Sequence, residues 1–203
     1  MNTSCIVLTG GKSSRLGQDK VLATVGDRSL LEQVVSRVGS ICEDIIIVTA
    51  QGQTIPCFAS QPEVQIVTDA FQGKGPLVGI YSGLTVSSTF CNLAVACDMP
   101  FLNRDLLRYM LQHLDDYDMI IPRMDNKLEP LHAVYTKNCM ATMEAMIKQD
   151  KLSIFELCDL VKVRYLSAEE IDRFDPEHLS FFNVNTVDDL EKARELAGGD
   201  NKP

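Results

Sequence analysis

A short segment rich in glycine and cationic residues follows an apolar run near the start of the chain. The apolar run is CIVL at 5–8, and the segment reads LTGGKSSRLGQDK from Leu8 to Lys20. Because glycine has no Cβ, such a segment brings backbone N–H groups close to phosphate oxygens. Arg15, a planar fork, and Lys20, a point charge, can neutralise the remaining negative charge. The segment therefore predicts a phosphate-binding loop at the end of a strand.

Two common phosphate-binding loops do not fit this segment. Gly11-Lys12-Ser13 resembles the end of a P-loop, but that pattern needs a glycine five residues earlier, where Ile6 stands. The dinucleotide fingerprint G-x-G-x-x-G also fails, since the glycines are at 10, 11 and 17. The alternative is an ordinary glycine-rich turn with solvated cations.

A single carboxylate follows a second apolar run. Residues 90–96 read FCNLAVA, Asp98 comes two residues later, and Pro100 ends strand pairing. Ligands in open α/β sheets bind beyond the carboxyl ends of strands, so we expect Asp98 beside the first loop. One carboxylate suits Mg²⁺, which takes its other ligands from substrate phosphates and water. Asp98 is thus a candidate metal ligand, with a turn cap as the alternative.

Strand-like and helix-like patterns alternate along the chain, which predicts an α/β domain. We predict a single Rossmann-like domain over 1–197, a three-layer α/β/α arrangement with a mainly parallel mixed sheet, and a polar tail at 198–203. Pro76 can begin a helix, in which Gly79 and Gly83 allow close approach to a ligand or to the sheet. Capping boxes open three further helices at Ser29, Ser153 and Ser167.

Composition restricts the class of function. The chain has 203 residues and a net charge of −9, which argues against nucleic-acid and membrane-surface binding. An anionic nucleotide must then be held by local positive charge and a metal. None of the seven cysteines forms C-x-x-C and the three histidines do not cluster with them, so we expect reduced thiols. With no signal peptide or membrane span predicted, we expect a cytoplasmic protein.

Five stretches resemble one known family. The segment from Leu8 to Lys20 is similar to L-A-G-G-x-S-x-R-M-G-x-D-K of the molybdenum cofactor guanylyltransferase family, which belongs to the nucleotidyltransferases of GT-A-like fold. Thr9 replaces Ala of that pattern and Leu16 replaces Met. The other matching stretches, in order, are Asp69 to Gly79, Cys97 to Leu102, Glu129 to Tyr135 and Phe182 to Leu190.

The resemblance implies a fold of the nucleotide-diphospho-sugar transferase type and a reaction. GMP from GTP would join the terminal phosphate of molybdenum-molybdopterin, and pyrophosphate would leave. Mg²⁺ at Asp98 is the implied cofactor. GTP and molybdenum-molybdopterin are the implied partners, with cofactor-delivery proteins and molybdoenzyme chaperones as further candidates.

The resemblance also implies site residues, of which Arg15, Lys20 and Asp98 are catalytic. Asn183 and Asn185 alternate with Val184, so both side chains point the same way from an extended segment, unless they only begin the last helix. The implied substrate-binding residues are Leu8, Thr9, Gly10, Gly11, Lys20, Asp69, Asp98, Asn183 and Asn185.

Two positions of the family pattern stay open. The family often has Asn after the strand at 44–49; whether Val48 or Thr49 replaces that nucleotide contact is not decided. His132 lies in a stretch that faces the acceptor in the family, but a histidine inside an apolar strand is more commonly a packing residue.

Three alternative functions remain. A cytidylyltransferase for the same cofactor usually has Ala-Ala-Gly where this chain has Thr9-Gly10-Gly11, which favours guanine. A sugar-phosphate nucleotidyltransferase shares the first loop, but is not expected to keep Asp19-Lys20 adjacent or to have the Asn183/Asn185 ending. Intact catalytic residues argue against a non-catalytic nucleotide-binding or delivery module.

Overall fold

Strands and helices alternate in the computed structural model, which describes residues 2–10, 16, 19–56, 58, 64–69, 74–125 and 127–199. The strands are β1 Thr3–Leu8, β2 Thr24–Val25, β3 Arg28–Ser29, β4 Asp44–Thr49, β5 Val64–Thr68, β6 Cys91–Ala96, β7 Met119–Met124, β8 Lys127–Leu128, β9 His132–Thr136 and β10 Val163–Leu166. The helices are α1 Leu30–Val38, α2 Pro76–Val86, α3 Arg104–Gln112, α4 Cys139–Lys148, α5 Ile154–Cys158, α6 Ala168–Asp172 and α7 Val187–Gly199.

One mixed sheet organises the described part of the chain, in the order β10-β7-β9-β6-β1-β4-β5. The neighbours β6-β1-β4-β5 are parallel, as are β10 and β7, whereas β9 is antiparallel to both β6 and β7. β8 pairs with β7, and β2 and β3 form a separate hairpin. This arrangement confirms the predicted α/β class with a mainly parallel sheet.

Apolar cores cover both faces of the sheet, which is why the central strands β1, β4 and β6 are buried and mostly apolar. Cys5 and Val7 of β1 point into a core with residues of α1, α3 and α6. Ile6 and Leu8 point into the opposite core with residues of α2, α4 and α5. The period-2 alternation of β1 therefore fills two cores and gives the three layers.

Local signals placed several helix starts correctly. Ser29 and Glu32 form a reciprocal capping box at α1, and Ser167 and Glu170 form another at α6. At α5 the Ser153 hydroxyl accepts the Glu156 N–H, so this half of the predicted box is present.

The C-terminal helix extends past the predicted end of the domain. α7 runs to Gly199, two residues beyond the boundary at 197, and the rest of the tail lies outside the described residues. Among the described segments, no helix has the length and apolar character needed to cross a membrane. The described cysteines are buried free thiols: Cys5, Cys42, Cys91, Cys97, Cys139 and Cys158.

Two glycines let α2 pack closely against β1. A Cβ at Gly79 would lie 3.1 Å from a methyl carbon of Leu8, and one at Gly83 would lie 2.5 Å from Cγ2 of Ile6. Ile6 is fully buried, so it has little room to move. The structure thus assigns these glycines to helix–sheet packing.

We expect Gly83→Ala to destabilise the protein by about 2 kcal/mol, because overpacking a dense core displaces side chains or backbone. Thermal unfolding should then shift down by about 4–8 °C in a chain of this size. Gly198→Ala is the control, since a Cβ at Gly198 meets no atom within 4 Å. Equal shifts for the two variants would contradict the packing role of Gly83.

Candidate active site

The end of β6 lies directly beside the start of the first loop. The N–H of Cys97 donates to the carbonyl of Leu8 at 3.0 Å, which extends the pairing of β6 and β1 up to Asp98. The N–H of Thr9 donates to the carbonyl of Val48 at 3.0 Å. The carboxyl ends of three neighbouring strands therefore meet where the loop begins.

Asp69 lies further along the same edge. Its N–H donates to the Thr49 carbonyl at 2.8 Å, and its carboxylate accepts the Ser82 hydroxyl at 3.4 Å. β5 is three strands from β6, which corresponds to about 14 Å at the usual strand spacing. Asp69 and Asp98 are thus at the two ends of an extended site, rather than in one cluster.

Lys20, Asp98 and Asn185 form a polar cluster at this edge. The Lys20 ammonium donates to Oδ2 of Asp98 at 2.9 Å and to Oδ1 of Asn185 at 2.5 Å. The Lys20 and Asp98 side chains are only 15% and 13% exposed, so water screens this ion pair less than it would at the surface. Three segments far apart in sequence thus supply a cation, a carboxylate and an amide oxygen.

The two carboxylate oxygens of Asp98 differ in their contacts. Oδ1 is buried and has no hydrogen-bond partner among the described residues. Such an oxygen carries a desolvation penalty unless another group meets it. The described residues contain no group of three or more His, Cys, Asp or Glu able to hold a metal. The unpartnered Asp98 oxygen is a hard donor, so it fits a hard cation such as Mg²⁺ that takes its other ligands from substrate phosphates and water.

The C-terminal segment, residues 180–186, forms one side of the cluster of Lys20, Asp98 and Asn185. The N–H of Val184 donates to the Asp98 carbonyl at 2.9 Å, which fixes Asn185 beside Asp98. The Asn185 N–H also donates to the Asp189 carboxylate at 3.0 Å, which ties this segment to the first turn of α7. The amide of Asn183 donates to the Phe181 carbonyl at 3.0 Å, and so holds its own segment.

The structure describes only part of the first loop, including Gly10 and Leu16. Gly10 is exposed, and a Cβ there would meet no atom within 4 Å, which leaves its backbone open to a ligand. Leu16 is buried in a small cluster with Val184 and Leu190. The predicted site residues Gly11 and Arg15 lie outside the described residues.

Gln53 was not predicted as a site residue, although it contacts both ends of the loop. Its amide hydrogen-bonds to Thr9 and Asp19. Gln51-Gly52 follows β4, and Gly52 adopts φ 75°, which turns the chain back toward β1. In the sequence, Gly52 indicates a turn after β4, but a turn signal does not show that the Gln53 side chain reaches the loop.

His132 is a packing residue, as its place in an apolar strand suggested. Its Nε2 lies 2.7 Å from the Ser180 hydroxyl, and its ring packs at a tilt against Phe181, with 4.5 Å between the ring centroids. Complete burial lowers the pKa of His132 from 6.5 to about 4. The neutral imidazole supports the segment that leads to Asn185.

The sequence and fold are similar to those of known nucleotidyltransferases. The model of the MobA-like NTP transferase domain matches residues 5–162. A probable molybdenum cofactor guanylyltransferase of Pelotomaculum thermopropionicum is 35% identical over 95% of this chain and 92% of its own length.

Two solved structures are similar to this fold. Molybdopterin-guanine dinucleotide biosynthesis protein A of Archaeoglobus fulgidus superposes with TM-score 0.82 and 28% identity, over 97% of this chain and 99% of that one. A 2-C-methyl-D-erythritol 4-phosphate cytidylyltransferase of Thermus thermophilus gives TM-score 0.70 at 15% identity, over 98% and 100% of the chains, and shows likeness of fold alone.

We expect burial of His132 to make stability pH-dependent. Between pH 6.5 and 4 the unfolded chain binds a proton that the folded protein excludes, so stability falls as the pH falls. Because of this histidine, the free energy of unfolding of the wild type should fall by ~2 kcal/mol from pH 7 to pH 4.5. Urea unfolding of wild type and His132→Gln at both pH values measures the difference. His178, which is partly exposed and pairs with Asp172, provides the control His178→Gln. A His132→Gln protein with the wild-type pH slope would contradict the assignment.

Proposed function

Because the chain belongs to the MobA-like NTP transferase family, we propose that it transfers GMP from GTP to the terminal phosphate of molybdenum-molybdopterin and releases pyrophosphate. The observation that carries this proposal is the convergence of Lys20, Asp98 and Asn185 at the carboxyl edge of the sheet. That the chain is a nucleotidyltransferase follows from its family. The guanine base and the pterin acceptor are proposed from the names of the relatives.

The proposed roles follow from charge and position. Lys20, together with Arg15, neutralises the α-phosphate and the departing pyrophosphate. Gly10 and Gly11 offer backbone donors to the phosphates, and the open space at Gly10 supports this. Asp69, at the far end of the site, assists in holding the nucleoside, which Leu8 and Thr9 flank.

We propose that Asp98 holds Mg²⁺ through its buried and unpartnered oxygen. The chemistry that Mg²⁺ supplies when bound is neutralisation of phosphate charge. Asn185 contributes an amide oxygen next to Asp98, either to this ligand set or to the acceptor. Lys20 already pairs with the other Asp98 oxygen and therefore keeps the carboxylate oriented.

The acceptor is itself a phosphate, so the reaction needs no strong base at the nucleophile. Positioning of the two substrates and stabilisation of developing charge should supply the rate. This agrees with the polar groups described at the Lys20 end of the site, which are a lysine, the Asp98 carboxylate and the Asn185 amide, whereas His132 is fully buried.

We expect pyrophosphate release from GTP with molybdenum-molybdopterin as acceptor. CTP and UTP, each with the same acceptor or with a sugar phosphate, form the comparison arms. Release from CTP in preference to GTP would indicate a cytidylyltransferase. Release only with a sugar phosphate as acceptor would indicate a sugar-phosphate nucleotidyltransferase. Nucleotide binding without release under any pairing would support a delivery module and contradict the proposed reaction.

Asp98→Asn should lower kcat by at least ~10²-fold, because it removes the charge that holds the cation. The asparagine keeps an oxygen that accepts from Lys20, so we expect the unfolding temperature to change by only a few degrees, ~1 kcal/mol in stability. Asp116→Asn, at an exposed aspartate, is the control for charge removal. Near-normal turnover of Asp98→Asn would refute the metal role of this residue.

A further inference from the structure

Gln53 joins the two ends of the nucleotide loop, the segment from Leu8 to Lys20. We propose that Gln53 is a positioning residue, which fixes the exit of this loop against its entry and thereby sets Lys20 opposite Asp98. The proposal rests on the proposed function, because it concerns the same nucleotide site. It assigns a role to a residue outside the five stretches on which the family resemblance depends.

The entry of the loop is held through Thr9. The Thr9 hydroxyl donates to Oε1 of Gln53 at 2.7 Å, with the Val48 carbonyl as a second acceptor at 3.1 Å. Nε2 of Gln53 lies 3.4 Å from the Thr9 carbonyl. Thr9 is 4% exposed, so the Thr9 ends of these bonds are buried, whereas Gln53 is partly exposed. The family pattern has Ala where this chain has Thr9, and alanine could not make the hydroxyl bond.

The exit of the loop is held through Asp19. Nε2 of Gln53 donates to Oδ1 of Asp19 at 3.3 Å, and the same oxygen accepts the Val21 N–H at 3.2 Å. The Asp19 carbonyl accepts the N–H of Leu22 at 3.0 Å, which closes a turn around Lys20. The residue next to Lys20 is thus tied to the entry of the loop through a single side chain.

Gln53 is itself fixed on the frame of the sheet. Its N–H donates to the Ala50 carbonyl at 3.3 Å, and its Oε1 accepts the Ala50 N–H at 3.3 Å. Ala50 directly follows β4, which pairs with β1 along its length. The amide therefore connects the loop to a rigid strand end.

The chemistry of an amide explains why glutamine suits this place. One planar group offers an acceptor to the Thr9 hydroxyl and a donor to the Asp19 carboxylate. Glutamate would place a second carboxylate against Asp19, and methionine would keep the size without hydrogen bonds. Gln53→Met therefore tests loss of the hydrogen bonds, and Gln53→Glu tests added repulsion from Asp19.

We expect Gln53→Met to lower kcat/KM for GTP by ~10-fold or more, since a displacement of the order of 1 Å in a catalytic group can cost ~10²-fold. Part of this loss should be in kcat, because Lys20 acts on the departing pyrophosphate. A merely structural role would lower the unfolding temperature and leave kcat per folded molecule unchanged. Gln112→Met, at an exposed glutamine at the end of α3, is the matched control.

Charge exchange across the contact provides a rescue test. Gln53→Glu should be more impaired than Gln53→Met, because it faces Asp19. Combining Gln53→Glu with Asp19→Asn restores a donor and an acceptor and keeps the net charge. We expect the double variant to recover at least ~10-fold in kcat/KM over Gln53→Glu, and ~10-fold corresponds to the loss of one such contact. A double variant that is no better than Gln53→Glu would overturn the proposal.

A readout without substrate separates this inference from the proposed function. Hydrogen exchange in the free protein should be faster at Val21 and Leu22 in Gln53→Met than in wild type, whereas Gln112→Met should match wild type. A wild-type protein that is inactive with GTP would refute the proposed function, and hydrogen exchange would still test the positioning role of Gln53. If the wild type is active and Gln53→Met has unchanged kinetics and unchanged exchange, the positioning role of Gln53 is refuted and the proposed function is not.

Discussion

The ion pair of Lys20 and Asp98 is the contact on which the site depends. It joins the exit of the first loop to the end of β6, across 78 positions of sequence. Removing two charges from water is costly, so a partly buried pair is stable only when each charge meets its partner. The pair therefore requires β1 and β6 to be parallel neighbours that end at one edge. The order of the central strands thus brings the candidate site residues Lys20 and Asp98 together.

The C-terminal segment depends on the same constraint. The N–H of Val184 bonds to the Asp98 carbonyl, so Asn185 reaches Lys20 only while the end of β6 is in place. Leu16 from the middle of the loop packs in a cluster with Val184, and His132 supports the segment through Ser180. Apolar packing thus holds Leu16 of the loop against the C-terminal segment, beside the polar cluster of Lys20, Asp98 and Asn185.

Patterns local in sequence predicted most of the fold. The apolar run of β1, the Ser29 cap and Pro76 at the start of α2 each act over a few residues, and the structure confirms them. The meeting of Lys20 and Asp98 was predictable as well, because strand ends of a parallel sheet share an edge.

Contacts set by tertiary packing were not predictable. The bonds of Gln53 to Thr9 and Asp19 depend on how the turn after β4 folds back, and no periodicity encodes that direction. The antiparallel insertion of β9 between β6 and β7 follows from chain topology rather than from its apolar pattern.

A crystal structure of the protein with GTP and Mg²⁺ tests the central claim most directly. The account predicts the triphosphate between the first loop and Asp98, with Lys20 in contact with a phosphate oxygen and the cation on the Asp98 carboxylate. A nucleotide bound elsewhere would contradict it, for example in the cleft of about 220 Å³ that Asp44, Gln65 and Ser87 line at the opposite edge.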